Sequence, residues 1–338
     1  MKHTLNLVIT FAGLFVAGSI FAASATAQDQ VLPTWMGSFK YGGTNYNYTM
    51  VGTDPTTNST TTVNSFVVPV KLVFSKGCSS SPTCSFDSQS VVSRVVSSPI
   101  FDSSTTYVQG GVNLGTTQYI DAFQRGNFWG TVKNNPNYHL KLGGPSVLAE
   151  LTITVPATEG CVGSIDFGYP VGEVDYSWLE TQIENYVSLS NVIEPNTLPI
   201  FLTYQAVISV GAPSCNGASG PPTQGVHFSN YGQTFVQFGY LDPNGSHGLD
   251  PVQPDVSILA HEVGEWADDP YVSNYPTPCG TNLEVGDPLI GHNYAYTVNN
   301  FTYHLQDLVF ITYFGAPAGT SVNNWYSFQD EKTGGPCS

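Results

Sequence analysis

Residues 254–270 read PDVSILAHEVGEWADDP and predict a helix with an apolar side and an acidic side. Pro254 and Asp255 suit the first turn of a helix, and Pro270 cannot continue one. The apolar residues recur at the spacing of one helix face, and we expect them in the core: Ile258, Leu259, Val263 and Trp266. The chemistry of this helix must therefore come from its polar side.

That polar side carries a candidate metal site. His261 and Glu265 are four residues apart and project from the same face, with Glu262 beside them. In His-Glu-x-x-His metalloproteases the two histidines bind zinc and the glutamate is the general base. Here Glu265 replaces the second histidine, which makes the site more anionic and weakens the metal's ability to acidify bound water. The alternative interpretation is a solvated acidic helix face without a metal.

A third metal ligand is expected downstream of the helix, because two-ligand helices usually close their site from a later segment. Glu284 and Asp287 lie in a predicted turn, Glu284-Val285-Gly286-Asp287, and are the candidates. His292 is the second choice. Asp269 ends the helix before a proline, where an aspartate more often makes local backbone hydrogen bonds.

The chain around this helix predicts an α+β fold. Residues 28–111 are rich in Thr, Ser, Val, Tyr and Gly, and segments such as 65–74 (SFVVPVKLVF) have the composition of strands. A helix is expected at 117–129 and another after Asp175. A strand is expected at 198–210, and a hairpin at 227–241 with its turn near 230–232. A β-rich N-terminal part is thus predicted to precede a mixed C-terminal part.

These motifs together resemble a known pattern. Four segments are similar to exported fungal and bacterial proteins and to the plant EXORDIUM, or phosphate-induced, family. They are Gly225-Val226-His227, the His-Glu-x-x-Glu helix, the Glu284–Asp287 turn and the strand at 303–310. The resemblance covers residues 225–314 and implies a zincin-like, metal-dependent domain. Two departures, Ala260 for Ser and Asp268 for Thr, remove no proposed ligand. We therefore predict a β-rich region at 28–145 and a zincin-like metal-binding domain at 146–338.

The charge of the chain limits its partners. Nine Lys and Arg face 25 Asp and Glu, for a net charge of −16. That balance excludes a general nucleic-acid binder and argues against attraction to anionic membranes. No Lys or Arg occurs between Lys141 and Lys332, so a buried carboxylate there needs a proton, a histidine, backbone N–H groups or a metal ion.

The N-terminus predicts export. Residues 1–27 have a basic start, an apolar run and a small-x-small ending, Ala25-Thr26-Ala27, which together indicate a cleaved signal peptide rather than a membrane anchor. A secreted or periplasmic location follows, without a membrane association after cleavage. The six cysteines then favour disulfides, and we expect pairing in sequence order, 78–84, 161–215 and 279–337.

Two principal hypotheses follow. In the first, the protein is an exported metal-dependent hydrolase, most simply a peptidase acting on a peptide or a cell-wall substrate. His261, Glu265 and Glu284 or Asp287 would hold Zn²⁺, and Glu262 would be the general base. In the second, the same residues hold Ca²⁺ or Zn²⁺ for structure in a wall-associated or adhesive protein. A third hypothesis, binding or cleavage of glycans, rests on aromatic content alone.

Overall fold

A computed structural model describes residues 31–76, 84–163, 170–211, 213, 223–241 and 253–336. The predicted signal peptide, residues 1–27, lies outside these ranges. Sixteen strands occur in the described part: β1 (Thr34–Tyr41), β2 (Thr44–Val51), β3 (Thr60–Phe74), β4 (Cys84–Asp87), β5 (Thr106–Gln109), β6 (Val112–Thr116), β7 (His139–Val147), β8 (Leu151–Val155), β9 (Gly160–Gly163), β10 (Val171–Asp175), β11 (Leu198–Tyr204), β12 (Ala206–Ser209), β13 (Gly225–Asn230), β14 (Gln233–Tyr240), β15 (Asn293–Val298) and β16 (Phe301–Gln306).

Five α-helices accompany these strands in the described ranges: α1 (Val92–Val96), α2 (Tyr119–Asn127), α3 (Trp129–Val132), α4 (Tyr176–Leu189) and α5 (Ser257–Asp268). Among them, none has the length and the apolar character that crossing a membrane requires. The predicted α+β class and the β-rich N-terminal part are both confirmed.

The long strand β3 organises the central seven-stranded sheet. The strand order is β13-β14-β11-β3-β4, and β7 and β8 also pair with β3. The pairings of β3 with β7, β8 and β11 are parallel, and that with β4 is antiparallel. β3 can pair with four strands because it is 15 residues long: β7 pairs with residues 60–67 and β8 with 70–74, while β11 pairs with 65–69 and β4 with 71–74. Its apolar residues point to both faces, so Val67 enters one hydrophobic core and Val68 the other.

The two faces of the sheet carry different helices. On one face, α5 packs against β14, β13 and β16, and Trp266 donates from Nε1 to Thr234 Oγ1 at 3.0 Å. On the other face, α4 contributes Leu179 and Ile183 to the second core. Asp175 caps α4 as predicted, because its carboxylate accepts from the Trp178 N–H at 2.9 Å. The sheet therefore holds α5 and its polar residues in a fixed place.

The predicted boundary near residue 145 falls inside β7. The described residues between 31 and 336 form one compact unit. β3, from the predicted N-terminal region, pairs with β11, from the predicted C-terminal one. One sheet thus runs through both regions.

Two predicted element boundaries were wrong. Helix α5 begins at Ser257 rather than at Pro254, because Asp255 has a positive φ of 42° and turns its carboxylate to His304 at 2.6 Å. The strand expected at 198–210 is broken into β11 and β12 at Gln205, which has a φ of 45°. The predicted hairpin is confirmed, with Asn230 opposite Gln233 across a two-residue turn.

Each predicted disulfide includes one cysteine outside the described residues: Cys78, Cys215 and Cys337. The described ones, Cys84, Cys161 and Cys279, include no free thiol. The pairing in sequence order stays a prediction.

Candidate metal centre

The polar side of α5 is buried. His261 is 5% exposed, Glu262 is 3% exposed and Glu265 is 4% exposed. The helix lies against β13 and β16, so its acidic residues face protein instead of bulk water. The alternative of a solvated acidic helix face is therefore wrong.

Three predicted residues bring ligand atoms together on one side of the helix. His261 Nε2 lies 3.1 Å from Glu265 Oε1 and 3.7 Å from Asp287 Oδ1. The three ligand atoms lie within 4.8 Å of one another. Ligand atoms about 2.0 to 2.2 Å from a tetrahedral zinc ion lie roughly 3.3 to 3.6 Å apart. This spacing and the donor set fit a divalent cation.

A glutamine on β16 orients the imidazole of His261. Gln306 Oε1 lies 3.2 Å from His261 Nδ1, and Gln306 Nε2 donates to the Gly286 carbonyl at 2.7 Å. Because the amide is held by that donation, its oxygen faces the histidine and accepts from Nδ1–H. In neutral His261 the lone pair is then on Nε2, the atom that faces Glu265 and Asp287. Histidine ligands of metals commonly have such an outer partner.

Gly286 permits the close approach of the turn to the helix. A Cβ at this position would lie 2.5 Å from His261 Nδ1, closer than side chains pack. The Gly286 N–H also donates to Glu265 Oε1 at 3.1 Å. The missing side chain thus lets one backbone segment contact both helix residues of the site.

A second histidine, His227 on β13, faces the same carboxylates. Its Nδ1 lies 3.3 Å from Glu265 Oε2 and 3.5 Å from Glu262 Oε2, and its Nε2 lies 3.7 Å from Glu284 Oε2. His227 is 6% exposed. Neither its Nε2 nor Glu284 Oε2 has a hydrogen-bond partner. Buried polar atoms without partners are uncommon, and they fit a site built for a ligand.

His227 is not among the candidate ligands that the sequence predicts. The signal that could have found it was the alternation of the hairpin strand. A Cβ on Gly225 would meet Ile258 and Glu262 of α5, so Gly225 faces that helix. His227, two residues later, faces it too.

The other candidate ligands lie at different places in the structure. Glu284 approaches His227, whereas Asp287 approaches His261, so the two candidates serve different histidines. His292 lies elsewhere and pairs with the exposed Glu331 at 3.1 Å. As predicted, Asp269 makes local bonds and accepts from backbone N–H groups of residues 273 and 274.

The electrostatics of the site reflect acids that lack cationic neighbours. Burial raises the pKa of Glu284 to about 8, and the negative charge of Glu265 adds to this. Burial disfavours the charged form of His261, but Glu265 outweighs that effect and raises the pKa of His261 to about 10. In the same way, the carboxylates Glu262 and Glu265 overcome burial and hold the pKa of His227 well above its usual range. Without a metal, the imidazoles therefore serve as the counter-charges.

The site opens into a pocket of about 660 Å³. Its walls include β13, the polar side of α5 and the turn that carries Glu284 and Asp287. Tyr176 and Tyr271 add aromatic surface. The volume lies within the range of roughly 300 to 1,000 Å³ that is usual for small-ligand pockets.

A scan against protein-family models found no match, and searches of curated proteins and of solved structures found no similar protein. The chemistry of the site is therefore the basis for a functional inference. Its components are a histidine–carboxylate set suited to a divalent cation, a buried glutamate beside it, and an adjoining strand edge. Such components are used in hydrolysis assisted by a metal ion.

Proposed function

We propose that the protein is an exported metal-dependent hydrolase that cleaves peptide bonds. His261, Glu265 and Asp287 would hold a Zn²⁺ ion. The convergence of their three ligand atoms, with His261 oriented by Gln306, is the observation that carries the proposal. The resemblance of residues 225–314 to exported zincin-like proteins, and the signal-like residues 1–27, point the same way.

A divalent cation held by these residues would supply Lewis-acid chemistry, which polarises a carbonyl and lowers the pKa of a water molecule. Glu262 would accept the proton that the attacking water loses and deliver it to the leaving amine. Burial raises the pKa of Glu262, which makes its carboxylate a better proton acceptor. It lines the pocket beside the ligands, as a general base must.

The edge of β13 favours an extended peptide as the substrate. Just before β13 the Gln224 carbonyl accepts from Gly239 N–H, and at its end Asn230 closes the two-residue turn opposite Gln233. Because hydrogen-bonded pairs alternate along an antiparallel ladder, the backbone groups of Gly225, His227 and Ser229 point away from β14. A peptide that added to this edge as a further strand would run along the pocket.

A structural cation site in a wall-associated or adhesive protein is the second candidate. The carboxylate-rich ligand set favours it, because oxygen ligands suit Ca²⁺. Asp287 also keeps 68% of its side chain exposed, which is compatible with a cation that retains water ligands. On this alternative, the protein would prefer Ca²⁺ to Zn²⁺ and would cut no peptide.

The test compares the wild-type protein with Glu262→Gln. We expect the purified wild type to hold zinc and to cleave peptides from a random library. Glu262→Gln should retain the metal and lose at least a hundredfold in kcat, in line with the typical contribution of a general base. Glu331→Gln, which changes an exposed carboxylate that does not line the pocket, is the matched control. Full activity in Glu262→Gln would contradict the proposal. So would a purified protein that contains no metal and whose melting temperature does not change when chelator is added.

A further inference from the structure

The site contains two groups of ligand atoms, not one. His261, Glu265 and Asp287 form the first group, and His227, Glu262 and Glu265 form the second. Within each group the ligand atoms lie within 4.8 Å of one another. Glu265 belongs to both groups, and its two oxygens face different histidines: Oε1 faces His261 and Oε2 faces His227. A carboxylate in this position can bridge two cations.

The two groups are built alike. In the first, one ring nitrogen of His261 faces the carboxylates and the other faces Gln306 Oε1. In the second, Nδ1 of His227 faces the carboxylates and Nε2 faces Glu284 Oε2 at 3.7 Å. A carboxylate behind a histidine is a common outer partner of a metal ligand, because it accepts from the distal N–H. Glu284 would have this role for His227.

The atoms behind the second group fit this arrangement. His227 is 6% exposed, and neither its Nε2 nor Glu284 Oε2 has a hydrogen-bond partner, so these two atoms, 3.7 Å apart, are available to each other when Nδ1 ligates a cation. The site is rich in carboxylates: Glu262, Glu265, Glu284 and Asp287 all approach its two histidines. The segment that holds them, between residues 141 and 332, contains no Lys or Arg.

We propose that the protein has a second divalent-cation site, formed by His227 Nδ1, Glu262 Oε2 and Glu265 Oε2, and that occupying it regulates the hydrolase. The regulatory part rests on the proposed function, because Glu262 is the general base there. A carboxylate that ligates a cation is no longer free to accept a proton. Filling the second site therefore inhibits cleavage, while the first site alone supports it.

The experiment is equilibrium dialysis of the metal-stripped full-length protein against rising free Zn²⁺, with elemental analysis of the bound metal. We expect the wild type to bind one Zn²⁺ and then, at higher concentration, a second. His227→Ala should lower the affinity of the second ion more than tenfold and keep the first. Glu262→Gln should weaken the second ion in the same way, which keeps the test valid if His227→Ala does not fold.

The matched control is His292→Ala, which removes an exposed histidine paired with Glu331 and should leave both binding steps unchanged. Saturation of the wild type at one Zn²⁺ overturns the second site, and loss of all zinc in folded His227→Ala shows a single site that includes His227. Absence of any bound zinc instead refutes the proposed function. In peptide cleavage, a rate that rises and then falls with free Zn²⁺ supports inhibition, and a plateau overturns it.

Discussion

The orientation of one imidazole depends on one glutamine. Gln306 accepts from His261 Nδ1 and is itself held by the Gly286 carbonyl. Replacement by leucine keeps the volume of the side chain and removes both bonds. Gln306→Leu should weaken Zn²⁺ binding by roughly 10- to 100-fold, the usual effect of removing an outer partner of a metal ligand. Isothermal titration with Zn²⁺ measures this.

Gln118→Leu provides the control for this prediction. Gln118 is also buried, and its amide binds the backbone of Phe101 and Leu142, neither of which is a residue of the metal centre. Its loss should reduce the free energy of unfolding without a change in Zn²⁺ affinity. Equal affinity in Gln306→Leu and the wild type would show that His261 needs no such partner.

A buried carboxylate next to the site should make stability depend on pH. Burial raises the pKa of Asp268 to about 7, although the amides of Gln124 and Asn127 donate to it. Its pKa in the unfolded chain is about 3.9. Between these values the folded state binds more protons, so stability falls as pH rises from about 4 to 7 and then levels off.

Asp268→Asn should flatten that decline, by at most about 1.4 kcal/mol per pH unit for a single proton. Urea unfolding of the metal-stripped protein at several pH values between 4 and 8 measures the slope. Asp330→Asn, which alters an exposed carboxylate, should keep the wild-type slope. Parallel curves for wild type and Asp268→Asn would contradict the prediction.

Single residues of the site were predictable where the geometry is local. The spacing of His261 and Glu265 on one helix turn requires only helical periodicity, and Asp287 required a turn close in sequence. The alternation of β13 puts His227 on the same face as Gly225, but which face of the strand meets α5 depends on tertiary packing. Gln306 was missed for the same reason, because it reaches His261 from a hairpin that follows the turn.

Among the elements, the turn at Gly286 lies close to helix α5 because residue 286 has no side chain. The backbone of Gly286 has an ordinary φ of −85°, so alanine would add no backbone strain. Its Cβ would instead push against the ring of His261. Gly286→Ala should therefore weaken Zn²⁺ binding while the circular dichroism spectrum stays unchanged.

Gly319→Ala is the matched control, because a Cβ there meets nothing within 4 Å. Zinc affinity and spectrum should both equal those of the wild type. If Gly286→Ala binds Zn²⁺ as tightly as Gly319→Ala does, the turn has more freedom than its contacts indicate.

The hairpin β13–β14 has an unfavourable residue in its turn. Tyr231 is fully exposed and has a φ of 48°, and Gly232 follows with a φ of 83°. Two-residue turns with positive φ at both positions favour Asn-Gly. Tyr231→Asn should raise the free energy of unfolding by roughly 0.5 kcal/mol. Tyr231→Ala, which lacks this preference, should not, and urea unfolding distinguishes them.

Elements were predictable where periodicity and turn residues agreed, as in the hairpin and in α4. The residues at which these elements begin and end were harder to predict. Asp255 looked like a helix start, but its contact with His304 places it outside α5. Such a contact links segments far apart in the chain, and it overrides the local preference of an aspartate for the first turn.

For the whole molecule, metal binding should add to stability. Residues from β13, α5 and the following turn meet at the site, so a bound ion links segments that separate on unfolding. At a free Zn²⁺ concentration one hundred times the Kd, the free energy of unfolding should rise by about 2.7 kcal/mol. Thermal melts with Zn²⁺ and with chelator measure this difference.

The double variant His261→Ala/His227→Ala is the control, since it should melt at the same temperature with and without Zn²⁺. A wild-type melting temperature that chelator does not change would exclude both the catalytic and the structural cation site. A rise with Ca²⁺ but not with Zn²⁺ would favour the structural alternative.

The α+β class of the molecule was predictable from strand and helix patterns, whereas the order of the sheet was not. Nothing local in 65–74 indicates that β7, β8, β4 and β11 all pair with it. Pairing between distant segments depends on how all faces of the sheet are covered at once. For that reason the predicted boundary near residue 145 does not mark an interruption of the sheet.

The central position of β3 has a consequence for the order in which the chain can fold. β3 is synthesised early, but its partner β11 begins only at Leu198, and β14 follows later still. A ribosome therefore releases β3 long before β11 and β14 exist. Until then, residues 66–74 expose apolar side chains on both faces of the strand. Exposed apolar surface of this kind binds chaperones and promotes aggregation. Folding of this protein is thus expected to finish late, after most of the chain has been made.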